Sequence, residues 1–305
     1  LTTNRSFTAP IQFSMCTTGL KTLPIEEIIA EAQRMQLQGL EIWSGHIEDY
    51  LNRGGTLGEL HALLAAGGLF VPAISEYTYF TKGLEACKED IALVQRAAEW
   101  AKALQCPRIR TFAGHIPSRE ATSEQWDLVM EGLYEALQAC KQQEVALAIE
   151  IHNNTLADTE DSLQKLMTVS SSTPANADQD HTVNETVPNN GAPLELIYDG
   201  FNLFVDHFDQ AYRLGILERF YPVISHVHFK DYHWNHEDWS KGEAVSVLQG
   251  DAGHAAILDK LLELQYTGFI SLEYFNERVV ELVQQSLAEL SIYIKERPPR
   301  TPSPE

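Results

Sequence analysis

Short apolar runs alternate with longer stretches of helical periodicity from one end of the chain to the other. The first run, Ile11 to Thr17, precedes a helix that opens at Leu23-Pro24 and carries Ile28, Ile29, Ala32 and Met35 on one face. Gly39 to Trp43 reads as the second strand. Leu57 to Ala66 reads as a helix stopped by Gly67-Gly68, and Phe70 to Glu76 as the third strand. A helix over Leu84–Leu104, a strand over Arg108–Ala113, a helix over Glu124–Gln143 and a strand over Val145–His152 continue the series. Asp158–Met167 is predicted helical, with Asp158 or Thr159 as its cap, and Phe201–Asp206 is predicted to be the sixth strand. The pattern ends with a helix at Gln210–Phe220, a strand at Ser225–Lys230, helical residues around Leu258–Leu264, a strand at Phe269–Tyr274 and a last helix at Val279–Ile294.

Strict alternation implies an α/β fold with a parallel sheet and crossover helices. Eight strand–helix pairs in one chain imply a single closed (β/α)8 TIM barrel, expected to span residues 1–296. No Gly-rich phosphate turn follows any strand, so an open dinucleotide-binding sheet lacks its usual mark. Two stretches break the pattern. Residues 170–192 are rich in Ser, Thr, Asn, Asp and Pro and read as a polar surface insertion between the fifth helix and the sixth strand. Residues 297–305 are proline-rich and read as a flexible C-terminal tail.

Composition narrows the partners. The chain has 305 residues, 44% of them hydrophobic, which is enough for one large core. A formal net charge of −21 opposes binding to nucleic acid, where Lys and Arg must neutralise phosphates, and weakens attraction to anionic membranes. No apolar run approaches the roughly 18 residues of a membrane span. The four cysteines form no CxxC pair and read as buried free thiols of a reducing compartment, so a cytoplasmic protein is expected.

Barrel enzymes place their chemistry at the C-terminal ends of strands. Glu150, Asp206, His228 and Glu273 stand near the ends of the last four predicted strands, and alternation allows all four to face one centre. Three carboxylates packed together repel one another unless a cation joins them. With one imidazole they make a largely oxygen-rich site for one divalent ion: Mn²⁺ first, with Mg²⁺, Co²⁺ or Zn²⁺ as alternatives. Around it, Glu41 and Trp43 on the second strand, His115 after the fourth, His152 beyond Glu150 and Lys230 beyond His228 are candidate substrate contacts. The aromatic stretch Tyr232 to Trp239 is a candidate lid.

These residues also carry a family likeness. Gly39-Leu-Glu-Ile-Trp43, Ala148-Ile-Glu-Ile-His-Asn153, Phe204-Val-Asp206, His226-Val-His-Phe-Lys-Asp231, Gly250-Asp-Ala-Gly253 and Tyr266-Thr-Gly-Phe-Ile-Ser-Leu-Glu273 together resemble the xylose-isomerase-like barrel superfamily of sugar-phosphate isomerases and epimerases. The resemblance implies that Glu150, Asp206, His228 and Glu273 are the metal ligands. It implies a carbohydrate substrate and an ene-diolate stabilised by the ion, with Glu150 and Glu273 taking and returning the proton. Many relatives carry His three residues after the sixth-strand Asp; on this reading that place holds Asp209, and His207 takes a structural role. Oligomeric state stays open, since relatives form dimers or tetramers.

The leading expectation is therefore a metal-dependent isomerase or epimerase of a sugar, sugar phosphate or keto-sugar. The rivals are a dehydratase of the inosose or dehydroshikimate type on the same scaffold, a sugar-binding subunit without turnover, and a phosphodiesterase like apurinic-site endonucleases. The last is opposed by the acidic charge and by the lack of a histidine in Ala73-Ile-Ser-Glu-Tyr77.

Overall fold

A computed structural model describes residues 11–171 and 194–297. Most of the polar segment at 170–192, and the tail beyond Arg297, lie outside the described residues. Eight parallel strands close into a barrel: β1 (Gln12–Cys16), β2 (Gly39–Trp43), β3 (Ile74–Ser75), β4 (Arg108–Thr111), β5 (Ala146–Glu150), β6 (Glu195–Asp199), β7 (Ile224–Phe229) and, last in the chain, β10 (Phe269–Leu272). Two short strands, β8 (Asp231–His233) and β9 (Glu243–Val245), pair antiparallel outside the barrel.

The surrounding helices are α1 (Ile25–Arg34), α2 (Ser44–Asn52), α3 (Leu57–Ala66), α4 (Leu84–Ala103), α5 (Ser123–Gln142), α6 (Glu160–Met167), α7 (Gly200–Val205), α8 (Gln210–Phe220), α9 (His254–Glu263) and α10 (Val279–Lys295). Each of the long ones buries one apolar stripe: α1 turns Ile25, Ile28, Ile29 and Ala32 inward, as helical spacing dictates. Threonines set the starts of three of them. Thr56, Thr122 and Thr159 each accept the third helical N–H and complete a capping box. Helix ends repeat another device. Gln36, Gln105, Glu144 and Gln265 adopt left-handed backbone with φ of 58°, 56°, 62° and 56°, reversing the chain from helix to strand.

Parallel strands covered on both faces must be apolar almost throughout. β5, Ala-Leu-Ala-Ile-Glu, is buried at every position. A carboxylate at the end of such a strand is held in the protein interior and needs partners there. All four cysteines are buried and unbridged.

One element differs from expectation. The predicted sixth strand, 201–206, is the helix α7 and the turn behind it; the strand is Glu195–Asp199. Asp199 is the reason. Its Oδ1 accepts from the backbone N–H groups of Phe201 (2.9 Å) and Asn202 (3.0 Å), so it ends the strand and caps the helix at once. Helix α2 and the β8–β9 hairpin are further elements that the apolar pattern does not predict.

Candidate active site

Register brings the strand ends together. Asp199 pairs with His228, and His228 with Ser271, so neighbouring inward side chains share a layer. Glu150, Asp199, His228 and Glu273, all buried, each offer one ligand atom within 4.8 Å of the others. Three of the four are the residues that the sequence singles out. The fourth is Asp199, not Asp206. Asp206 sits half-buried in the turn after α7, a full helix away from the strand end, and does not join the group. Moving the aspartate to 199 also moves the position three residues on: it is Asn202, not Asp209, and its Nδ2 donates to Glu150 Oε1 at 3.0 Å.

Hydrogen bonds fix the orientation of each group. His228 Nε2 and His226 Nε2 each lie 2.8 Å from the same Glu41 oxygen. An ionised carboxylate can only accept, so both imidazoles donate from Nε2. That leaves His228 Nδ1 facing Glu150 at 3.6 Å and Glu273 at 3.8 Å with no hydrogen bond of its own, open to either a proton or an ion. Glu41 therefore stands behind the imidazole, as the carboxylate partner of a metal-binding histidine does. The sequence suggests a substrate contact at Glu41; the structure buries it completely beneath the group instead.

Two buried cations complete the cluster. Lys230 Nζ donates to Asp199 Oδ2 at 2.6 Å and Glu273 Oε2 at 2.7 Å. Arg110, from β4, pairs with Glu150 and lies 3.8 Å from Glu273 Oε1, which has no hydrogen-bond partner. The guanidinium also lies against the Tyr77 and Phe112 rings, 4.6 and 4.3 Å from their centroids. Replacing Arg110 with Met would strand the Glu150 carboxylate without its cation. We expect a loss of about 3–5 kcal/mol in folding stability, read by denaturant melts of the metal-free protein.

Charge explains why the group fits a dication. Four carboxylates (Glu41, Glu150, Asp199, Glu273) face one guanidinium and one ammonium, leaving two negative charges when both imidazoles are neutral. Ionisation follows. Burial raises the Glu150 carboxyl, but Arg110 and His228 outweigh it and hold it well below its ordinary value. Burial opposes charge on His228, yet Glu41, Glu150 and Glu273 lift its imidazole well above the usual range. Without an ion, a proton on His228 supplies part of the missing positive charge. A divalent ion held among these donors would supply that charge in the proton's stead. The unpartnered His228 Nδ1 and Glu273 Oε1 are the atoms such an ion would satisfy.

Proton and ion compete for that nitrogen, and this sets a pH dependence. The charge on His228 stabilises the metal-free fold fully below about pH 6.5, and this contribution is lost as pH rises through the elevated value. Metal affinity must change the other way, climbing by up to about tenfold per pH unit until the pH passes that elevated value and levelling off beyond it. Isothermal titration with Mn²⁺ at several pH values reads this directly. The same titration of Glu41→Gln should show affinity about 10–100-fold weaker, because the imidazole loses its fixed tautomer.

A cavity of about 400 Å³ opens beside the cluster, lined by the polar Lys230, Asn202 and Asn153 and by the aromatic Phe201, Tyr232, Trp234, Trp239 and Phe275. His152 precedes Asn153 of that lining, its ring 5.0 Å from that of Phe112. Its Nδ1 meets the Asn153 carbonyl, so Nδ1 carries the proton and Nε2 is bare. Burial lowers its pKa, keeping the ring neutral near pH 7. Trp43 and His115 lie elsewhere. Trp43 walls a separate groove with Lys21 above its ring at 4.6 Å, and His115 bonds Thr81 at 2.6 Å.

A parallel (β/α)8 barrel with a buried carboxylate–imidazole group of divalent-cation type at its mouth defines the class. Within it, the chain belongs to the xylose isomerase-like TIM barrel family, whose family model matches residues 29–296. A 3-dehydroshikimate dehydratase of Bacillus anthracis is 22% identical over 302 residues, covering 92% of this chain and 97% of its own length. Among solved structures, the probable 3-DHS dehydratase AsbF of Bacillus anthracis superposes with a TM-score of 0.76 at 18% identity, covering 92% of this chain and 99% of that one. The IOLI protein with a bound zinc atom gives 0.73 at 14% identity, covering 94% and 99%. An L-ribulose 3-epimerase gives 0.70 at 17% identity, covering 94% and 95%. Among the described residues no helix is long and apolar enough to cross a membrane.

Proposed function

We propose that the chain is a divalent-metal-dependent lyase that removes water from a small, carboxylated, polyhydroxylated keto substrate. The observation that carries this reading is the inequality of the two candidate proton-transfer carboxylates. Glu150 has Arg110 on one oxygen and Asn202 on the other, and its pKa is held low; it is a poor proton carrier. Epimerisation needs acceptors on two faces of a carbon, and the neutral His152 Nε2 offers one face only. One base serves elimination: His152 takes the proton beside the carbonyl and returns it to the departing hydroxyl. The dehydratase relative, similar across 92% of the chain, supports elimination over same-face isomerisation.

A bound divalent ion would be held by Glu150, Asp199, His228 and Glu273, and supplies Lewis-acid stabilisation of the charge that develops on the carbonyl oxygen. Arg110 keeps Glu150 ionised for that task. Lys230, buried yet lining the cavity, presents positive charge toward a substrate carboxylate. The aromatic wall excludes water from the reacting centre.

A sugar isomerase or epimerase is the second reading, favoured by the unpartnered Glu273 Oε1, which would act as the second proton carrier. Mn²⁺-loaded protein incubated in D₂O with 3-dehydroshikimate and with a panel of ketoses separates the two. The lyase reading expects loss of water and an aromatic product from 3-dehydroshikimate. Deuterium entering a ketose without loss of water would replace it with the isomerase reading.

A further inference from the structure

Asp231, the last residue of the His228-x-Lys230-Asp231 motif, and the Gly250-Asp-Ala-Gly253 motif take no part in the chemistry described above, and the structure locks them together. Asp231 is fully buried. Its Oδ1 accepts from the N–H of Tyr232 at 2.9 Å and from the N–H of Ala252 at 3.1 Å. One carboxyl oxygen thus ties the residue where the chain leaves the barrel to the residue where it returns. Gly250 is pressed against the same group, and a Cβ there would stand 2.3 Å from Asp231 Cγ. Around this point Asp251 N–H donates to the Tyr232 carbonyl at 3.0 Å, and Arg213 donates to the Ala252 carbonyl at 2.6 Å.

Everything between the tied ends is the β8–β9 hairpin and its loop. That segment supplies Tyr232, Trp234 and Trp239 to the cavity wall. Trp239 is 76% exposed although it lines the cavity. So large an apolar face left in water gains most when a ligand covers it. The return strand is anchored, with Ala244 and Val247 in the apolar core and the Tyr274 hydroxyl donating to the Val245 carbonyl at 2.9 Å, so it is the arm carrying Trp234 and Trp239 whose placement depends on the base.

We propose that Asp231 is a positioning residue for the substrate: its carboxyl clasps both ends of the aromatic hairpin and thereby sets Trp234 and Trp239 against the ring face of the bound molecule. This rests on the reading that the cavity beside the cluster receives the substrate. Asp231 touches none of the four metal-type ligands, so its effect is on binding geometry.

The test uses the full chain loaded with Mn²⁺ and compares Asp231→Ala with Asp231→Asn. The Asn variant keeps an oxygen that accepts both N–H groups; the Ala variant does not. In Asp231→Ala, amide hydrogen exchange over residues 233–245 should rise about tenfold while the barrel strands stay protected. KM for the dehydrated substrate should rise about tenfold with a smaller change in kcat, and Asp231→Asn should restore both. If Asp231→Ala does not fold, Gly250→Ala, which forces a methyl into the clasp, should give the same local exchange pattern. Unchanged exchange over 233–245, an increase spread evenly through the barrel, a loosened hairpin with unchanged KM, or an Asn variant as impaired as the Ala variant would each overturn the proposal. The exchange readout needs no substrate. A loosened hairpin in a protein that dehydrates nothing would therefore count against the lyase reading alone.

Discussion

Asp199→Asn is expected to abolish turnover for practical purposes, while Asp206→Asn leaves it near the wild-type level. The amide introduced by Asp199→Asn keeps the shape of the strand end and an oxygen for the cap of α7, so the fold should survive. What it removes is one of the four carboxylate charges of the cluster and the partner of Lys230 at 2.6 Å. Removing one member of a buried, hydrogen-bonded charge group costs about 3–5 kcal/mol, on the order of 10²–10³·⁵ in metal affinity. Asp206, in its half-exposed turn, faces no member of the cluster, and its loss should leave the titration curve unchanged. Mn²⁺ titration and steady-state rates of the two variants, side by side, check the pair. A strong effect at 206 and none at 199 would return the fourth ligand to the residue that the sequence suggested.

His152→Ala should lower kcat by about 10²–10⁴-fold with metal binding intact, the usual worth of a positioned general base. His152 is not one of the four clustered ligands, so isothermal titration of the variant should match wild type. The pH profile gives a second check. A group that must be neutral to act fails as pH falls through its pKa. Burial lowers that of His152, so the acid limb of kcat/KM should lie below the ordinary imidazole value of about 6.5. Full activity in His152→Ala, with loss in Glu273→Gln, would move the proton transfer to the carboxylate and favour the isomerase reading.

Most of the barrel can be read from the chain because its strands are buried on both faces and its helices on one. Apolar runs and helical stripes then alternate without ambiguity. The sixth strand is the exception, for a definite reason. Leu194 to Asp199 and Phe201 to Asp206 are both short apolar runs that end in aspartate, separated only by Gly200. Periodicity cannot tell a buried strand from a short buried helix at that length. The deciding interaction is the Asp199 side chain on the N–H groups of residues 201 and 202. Glycine after an aspartate that follows an apolar run is the available hint.

The site is legible where chemistry is local and hidden where it is not. Glu150, His228 and Glu273 follow from strand ends and alternation. Arg110 does not, since an arginine in a barrel strand is explained only by the Glu150 carboxylate on the neighbouring strand, 40 residues on. Glu41 reads from alternation as an inward carboxylate, but its task does not. Its two histidine partners lie 185 and 187 residues away, and only closure of the sheet reveals that it stands behind the imidazole. Asn202 follows from neither composition nor spacing until Asp199 is in place.

One divalent ion shared by Glu150, Asp199 and Glu273 and by the bare Nδ1 of His228 underlies both the lyase reading and its rival. Electron spin-echo spectroscopy of the metal-depleted protein, reloaded with one equivalent of Mn²⁺, sees those ligands without any substrate. Saturation at one ion per chain is expected, with hyperfine coupling to a single imidazole nitrogen that vanishes in His228→Ala. Coupling that survives in His228→Ala, or an ion with no nitrogen in its shell, would rule out this shared site.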